Sequence, residues 1–167
     1  MGLRRTTTRH STAKDLHDNA TPAGNAVAAT VLARLVALTG LDDFREALAR
    51  TLANGLTLMA DSPMAAAQLL TALDFHLGPT DEVAVISPTG HPDLPRVLAT
   101  IRGRYRPNQA VAFHDPASGE PPACTLVADK PVVNGDVTVY VCRDFACQAP
   151  LVGAAAVETA FGWGRGG

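Results

Sequence analysis

An apolar run at residues 26–39 sets the strongest limit on the fold. The run reads AVAATVLARLVALT and contains only three clearly polar residues, Thr30, Arg34 and Thr39. It predicts a helix that is apolar nearly all round, and such a helix is normally buried nearly all round. We therefore expect it to lie within a layer of helices and to need more neighbours than this chain supplies.

A polar, turn-forming segment leads directly into this run. Residues 18–25 read DNATPAGN, in which Pro22 and Gly24 favour a turn. Thr21 or Asn25 can offer a side-chain oxygen to the unpaired N–H groups that begin a helix. Small polar groups aimed at a helix start are typical of a binding loop. The residues that we predict to bind a substrate are His17, Asp18, Asn19, Thr21 and Asn25.

His17 has a second interpretation, because Asp15 and Asp18 flank it in the sequence. Acidic neighbours could tune the imidazole as an acid–base group. The competing interpretation is an exposed histidine without a chemical role. The remaining four histidines are scattered and form no spaced pair on a helix, so they predict no metal site.

Two further helices are predicted before residue 79. The first covers residues 43–59, and the second begins at Ser62 and Pro63 and ends at Gly78 and Pro79. Both have apolar residues four positions apart, which is typical of amphipathic helices. These apolar residues are Phe44, Leu48, Leu52 and Leu56 in the first helix, and Leu69, Leu73 and Leu77 in the second.

The pattern changes after Pro79. Residues 82–86 (EVAVI) and 109–113 (QAVAF) are short β-branched runs, and residues 94–105 between them have a helical pattern. This arrangement predicts a βαβ unit with parallel strands. Residues 137–142 (VTVYVC) predict a third strand, after a surface loop at residues 115–135 that contains a single helical turn.

Together these patterns predict an α+β chain. About three helices of a helical-hairpin segment cover residues 15–79, and a small α/β subdomain with about three strands covers residues 80–152. A polar, threonine-rich stretch at residues 1–14 predicts a disordered tail. The glycine-rich end of the chain, GWGRGG, leads us to expect a second flexible tail over residues 153–167.

Composition narrows the choice of partners and location. The net charge of −2 gives no basic surface for nucleic acid or for an acidic membrane, so neither partner is expected. No apolar signal region follows Met1, and the run at residues 26–39 is shorter than a bilayer span. We expect a cytoplasmic protein. No glycine-rich dinucleotide motif or Walker lysine is present, and we predict no cofactor.

Three cysteines, Cys124, Cys142 and Cys147, are too few for the disulfide framework of a secreted domain. Cys142 and Cys147 lie five positions apart at the end of a predicted strand, close enough to meet in a tight turn. A redox pair, structural thiols and incidental reduced thiols all remain open. Zinc needs four ligands, and no second Cys/His pair lies nearby, so we expect no metal.

Three separated motifs resemble one known family. They are DNATPAGN at residues 18–25, AAAQLLTALDFHLGP at residues 65–79, and YVCRDFACQAP at residues 140–150. Their order is similar to the C-terminal part of the thioredoxin-domain-containing family that includes spermatogenesis-associated protein 20 and YyaL-type bacterial proteins. The resemblance covers residues 15–152.

The resemblance implies a fold and a possible activity. Full-length members look like a thioredoxin-like domain followed by an α/α toroid, similar to N-acylglucosamine 2-epimerases and six-hairpin glycosidases. Residues 18–25 would then lie at the mouth of the toroid, at the start of an inner helix. This chain lacks the thioredoxin-like domain and most of the helical hairpins.

These implications lead to three hypotheses. The first is a C-terminal fragment without complete catalytic activity, whose partner would be the missing N-terminal part or a second copy bound through the first helix. The second is one part of a split carbohydrate-active or redox enzyme. The third is a stand-alone protein-interaction module.

Overall fold

The computed structural model describes residues 16–162, and the tail predicted at residues 1–14 lies outside them. Six α-helices and five strands form within residues 16–162, which confirms the α+β class. The helices are α1 (Gly24–Thr39), α2 (Asp42–Asn54), α3 (Leu56–Asp61), α4 (Ala67–Leu77), α5 (Leu94–Arg102) and α6 (Gly153–Phe161). The strands are β1 (Asp81–Ile86), β2 (Gln109–His114), β3 (Thr138–Arg143), β4 (Ala146–Cys147) and β5 (Leu151–Val152).

Helix α1 is the centre of the helical layer and packs against α2 and α4. Its buried face consists of small residues, including Ala26, Ala29 and Ala33, which allow the neighbouring helices to approach closely. Its opposite face leaves Val27 43% and Val31 51% exposed. The expectation that this helix is buried nearly all round is therefore wrong for the chain as it stands. The layer covers one side of the helix only.

The helix predicted at residues 43–59 is divided at Gly55, where α2 ends and α3 begins. A Cβ atom at Gly55 would lie 2.1 Å from Cδ2 of Leu69 on α4. Close packing of α4 against this point therefore requires a glycine, and a glycine weakens a helix. The predicted continuous stripe ends there, since Leu48 and Leu52 are buried whereas Leu56 is exposed.

The sheet has the strand order β2-β1-β3-β4, with β5 also paired to β3. Strands β1 and β2 are parallel and are connected through α5, which confirms the predicted βαβ unit. Strand β3 runs antiparallel to β1 on its other side. The third predicted strand is thus present, and two strands of two residues each, β4 and β5, lengthen the far edge of the sheet.

The two faces of the sheet have separate cores. Val83 and Val85 of β1 face α5 and α6, and pack with Val97 and Val157 from those helices. Ala84 and Ile86 face the other way and pack with Leu126 in a short 3-10 turn at Thr125–Val127. None of the helices within residues 16–162 is long and apolar enough to cross a membrane.

The expected flexible tail at residues 153–167 is wrong over its first nine residues, which form α6. Val157 and Phe161 of this helix are buried, and the guanidinium of Arg96 on α5 pairs with the carboxylate of Glu158. Arg106 lies over the Phe161 ring at 4.8 Å from its centroid. These contacts with α5 and the following loop stabilise a segment whose sequence alone gave little helical signal. Residues 163–167 lie outside the described part of the chain.

Candidate functional site at the junction of helices and sheet

Asp18, a predicted substrate-binding residue, uses both carboxylate oxygens within the fold. Oδ1 accepts a hydrogen bond from the backbone N–H of Ala23 at 2.8 Å, and Oδ2 accepts one from the N–H of Gln68 at 2.8 Å. The N–H of Asp18 itself donates to the carbonyl oxygen of Ala65 at 2.8 Å. Ala23 precedes α1 and Gln68 lies in the first turn of α4. Asp18 therefore connects the starts of two helices.

The other loop residues do not converge with Asp18 on one pocket. His17, Asn19 and Thr21 are exposed, and the backbone N–H of Asn19 donates to the carbonyl oxygen of Thr21 at 3.1 Å. Asn25 is half-buried and lines a separate cavity of about 220 Å³, together with Thr51 and Asn54 of the helical layer. The loop thus closes on its own backbone rather than around a ligand.

A cavity of about 290 Å³ lies where the helical layer meets the sheet. Its apolar wall comes from α1 and α4, with Val36, Ala37 and Phe75 among the lining residues. Five ionisable side chains also line it, and none of them was among the predicted site residues. These five are Arg45, His76, Glu82, Arg143 and Asp144.

Glu82 is the most unusual of these groups, because its carboxylate begins a strand in which every following residue is buried. The residue is only 5% exposed, and its Oε2 accepts a hydrogen bond from the backbone N–H of Phe145 at 2.9 Å. Burial raises the pKa of the Glu82 carboxyl, and the carboxylate of Asp144 adds to this effect. The Phe145 N–H and the cations Lys130 and Arg45 offset the increase only in part.

A sequence signal for this carboxyl exists. An acidic residue in the run EVAVI, which otherwise predicts a fully buried strand, has to be neutralised or hydrogen-bonded. Its partner, the N–H of Phe145, is 63 positions away in the chain. No local pattern in the sequence gives that distance.

Cys142 and Cys147 form a disulfide between β3 and β4. The interpretation as incidental reduced thiols is therefore wrong, whereas Cys124 is a free thiol. The two cysteines are direct cross-strand neighbours, and in the next pair the Gln148 N–H donates to the Val141 carbonyl oxygen at 3.0 Å. The disulfide thus lies between paired residues of a β-hairpin, next to the cavity lined by Arg143 and Asp144.

A second group of ionisable side chains lies after β1. His91, Asp93 and Asp136 have ligand atoms that all fall within 4.8 Å of one another, a spacing that could suit a metal ion. Nδ1 of His91 accepts a hydrogen bond from the backbone N–H of Asp93 at 3.2 Å. In the neutral imidazole the proton is then on Nε2, which faces Oδ1 of Asp136 at 3.6 Å. A metal-bound histidine normally has the opposite arrangement, with Nδ1 as a donor.

The loops after β1 and β2 are joined by a further carboxylate. Oδ2 of Asp115 accepts hydrogen bonds from the hydroxyl of Thr89 at 2.6 Å and from its backbone N–H at 2.8 Å. The Thr89 hydroxyl and N–H lower the pKa of Asp115. This agrees with a plain structural connection at residues 87–91 rather than an anion-binding loop.

Comparison with known proteins gives one group of relatives. Over 140 residues the chain is 26% identical to spermatogenesis-associated protein 20 of Rattus norvegicus and 25% identical to the Homo sapiens protein of the same name. The alignments cover 83% of this chain and 18% of each relative, so the chain spans less than a fifth of their length. No protein-family model and no solved structure matches. The similarity supports a distant relationship to this family.

Proposed function

We propose that this chain is the C-terminal part of a thioredoxin-domain-containing, six-hairpin glycosidase-like protein, and that it has no complete catalytic activity alone. Its role would be structural: it supplies a helical segment and a small sheet to a larger assembly. The similarity to spermatogenesis-associated protein 20 over 83% of the chain supports the relationship. The short share of the relatives' length, 18%, leaves room for the helices that this chain lacks.

The observation that carries the proposal is the exposed apolar face of α1. Val27 and Val31 lie one helical turn apart and are 43% and 51% exposed, and half-buried Leu35 continues the same line. A helix that is apolar on both faces normally packs on both faces. We propose that the occupant of the open face is a helical hairpin from the remaining part of the same protein.

The geometry of the loop at residues 18–25 supports the absence of independent catalysis. Asp18 was the strongest candidate for an acidic group at the mouth of a toroid, and both of its oxygens accept backbone N–H groups. A catalytic carboxylate of a sugar-active enzyme has to face substrate, and such enzymes need two. In this proposal the missing groups come from other helices.

The test of the open face uses the isolated chain. We expect it to bind a hydrophobic dye and to self-associate in sedimentation velocity, because exposed apolar patches promote association. The double substitution Val27→Lys and Val31→Lys should abolish dye binding and yield a monomer with an unchanged far-UV circular dichroism spectrum. Tyr105→Lys is the matched control, since Tyr105 is 92% exposed and lies outside the helical layer. A wild-type monomer that binds no dye would overturn the proposal.

A second candidate function is a split enzyme, either carbohydrate-active or redox-linked. The cavity beside Glu82 and the adjacent disulfide favour it, because they place a buried carboxyl and a redox-capable pair together. The neighbouring DNA distinguishes the hypotheses. A frame that encodes a thioredoxin-like domain and the missing hairpins favours a truncated or split protein, whereas an unrelated neighbour favours a stand-alone interaction module. The electrophoretic mass of the native product provides an independent check.

A further inference from the structure

The hairpin formed by β3 and β4 has few interactions of its own. Strand β4 contains two residues, which pair with Cys142 and Arg143 of β3. Beyond them, the hydrogen bond from Gln148 to Val141 is the next one in the ladder. A two-stranded segment of this size is not stable in isolation. Its closed form must therefore depend on contacts other than strand pairing.

The hairpin turn has an unfavourable backbone conformation for its sequence. Asp144 and Phe145 occupy the two central positions, with φ angles of 49° and 60°. Two-residue hairpin turns of this kind favour glycine, asparagine or aspartate, and a bulky residue at positive φ is unusual. Asp144 suits this preference, whereas Phe145 does not. The surroundings of Phe145 must therefore stabilise this conformation.

Phe145 connects the hairpin to both layers of the protein. Its backbone N–H donates to Oε2 of Glu82 on β1 at 2.9 Å. Its ring lies against Gly40, where a Cβ atom would be 3.1 Å from the ring carbons. Gly40 is the residue that ends α1 in a left-handed conformation. The position of the hairpin therefore determines how the end of α1 meets the first strand of the sheet.

We propose that the Cys142–Cys147 pair is a reversible redox switch that controls this junction. In the oxidised form the disulfide holds β4 beside β3 and places Phe145 between Glu82 and Gly40. In the reduced form β4 and the turn separate from the sheet edge, and the wall that Arg143 and Asp144 contribute to the 290 Å³ cavity opens. The proposal concerns residues of this chain alone and does not depend on what covers α1.

The positions of the two sulfurs define the chemistry. Cys142 is buried, whereas Cys147 is exposed. A thiolate of a dithiol reductant attacks Sγ of Cys147, forms a mixed disulfide there and releases the thiolate of Cys142, which takes up a proton. The second thiol of the reductant then displaces Cys147. Two electrons and two protons pass to the protein, and the reductant leaves as its own disulfide.

Reduction should act locally. The disulfide closes a loop between positions only five apart, so it constrains little of the unfolded chain. Strand β3 keeps its five pairs with β1, from Glu82 with Cys142 to Ile86 with Thr138. The main sheet and the helical layer therefore remain folded when the hairpin opens.

Amide hydrogen exchange tests the switch. A Cys124→Ser chain is compared after oxidation with oxidised glutathione and after reduction with dithiothreitol. We expect exchange at the Phe145 and Gln148 amides to become about tenfold faster or more on reduction, and to slow again on reoxidation. The Val83 amide in the centre of the sheet is the internal control and should not change. Cys142→Ser combined with Cys147→Ser should reproduce the reduced state with and without dithiothreitol.

Three outcomes would overturn the proposal. The first is that both thiols stay free in oxidised glutathione, as measured by thiol alkylation and mass spectrometry. The second is equal exchange at Phe145 and Gln148 in both redox states. The third is loss of protection at Val83 on reduction, which would identify the disulfide as a global structural cross-link. None of these results bears on self-association through α1, so this proposal and the proposed function can fail separately.

Discussion

The assignment of Asp18 as a structural residue leads to a quantitative prediction for Asp18→Ala. The substitution removes the acceptor for two backbone N–H groups, one just before α1 and one in the first turn of α4, each bonded at 2.8 Å. A substrate-binding aspartate could be replaced with little effect on folding. An aspartate that joins two helix starts could not, because both N–H groups would lose a charged partner.

The magnitude follows from the two bonds. A hydrogen bond to a charged group contributes about 1.5–3 kcal/mol to stability, and the loss of a helix N-cap costs about 0.5–2 kcal/mol. Asp18 is half-buried, so water can partly replace the carboxylate, and the lower end of the first range is appropriate for each bond. The expected loss is about 3 kcal/mol. For a chain of this length it corresponds to a Tm lower by roughly 6–12 °C.

Urea denaturation followed by circular dichroism measures this loss. Asp18→Asn keeps one accepting oxygen, and we expect it to lose about half as much stability, about 1.5 kcal/mol. Asn19→Ala and Thr21→Ala are matched controls in the same loop, since both residues are exposed. Their expected change is within about 0.5 kcal/mol. If Asp18→Ala is as mild as these controls, the structural role assigned to Asp18 is wrong.

Three further predictions concern the junction and the loops after the strands. Burial raises the folded-state pKa of Glu82 above 4.5, so its contribution to stability is greatest below that pH and is lost as the pH rises through the folded pKa. Glu82→Gln should therefore be more stable than wild type at pH 7, with a smaller fall in stability between pH 4 and 8 in urea titrations. Gly40→Ala should lose about 1–2 kcal/mol in urea denaturation, because Gly40 has a φ of 66° and lies against Phe145. Thr89→Val should raise the pKa of Asp115, measured by carbon-13 NMR titration, because the Thr89 hydroxyl is the main cause of its low pKa.

Each of these predictions has a matched control. Glu120→Gln changes an exposed carboxyl and should leave the pH dependence of stability as it is in wild type. Gly90→Ala places a methyl group in open space and should cost less than about 0.5 kcal/mol. Thr89→Ser retains the hydroxyl donor and should keep the pKa of Asp115 low. A variant that behaves like its control would contradict the corresponding contact.

Local patterns predicted the βαβ unit well because its signals are local. β-branched runs bounded by turn residues gave β1 and β2, and the helix between them satisfies the geometry of a parallel crossover. Helix α6 was missed for the opposite reason. Its segment GAAAVETAF precedes a glycine-rich end, and its stability comes from burial of Val157 and Phe161 against elements distant in sequence. Propensity within the segment does not encode those contacts.

The two carboxylates, Asp18 and Glu82, explain why the predicted site was in the wrong place. A polar turn before a helix contains acceptors and free N–H groups within a few residues, so it can satisfy itself, and Asp18 does so with Ala23. Glu82 has no such local partner, because its neighbours in the strand are apolar and their backbone groups bond to β2 and β3. Its one hydrogen bond in the described residues comes from Phe145, whose position depends on the redox-capable hairpin. A buried acid that depends on a distant and separable segment is therefore a better indication of a controllable site than a polar loop that satisfies its own groups.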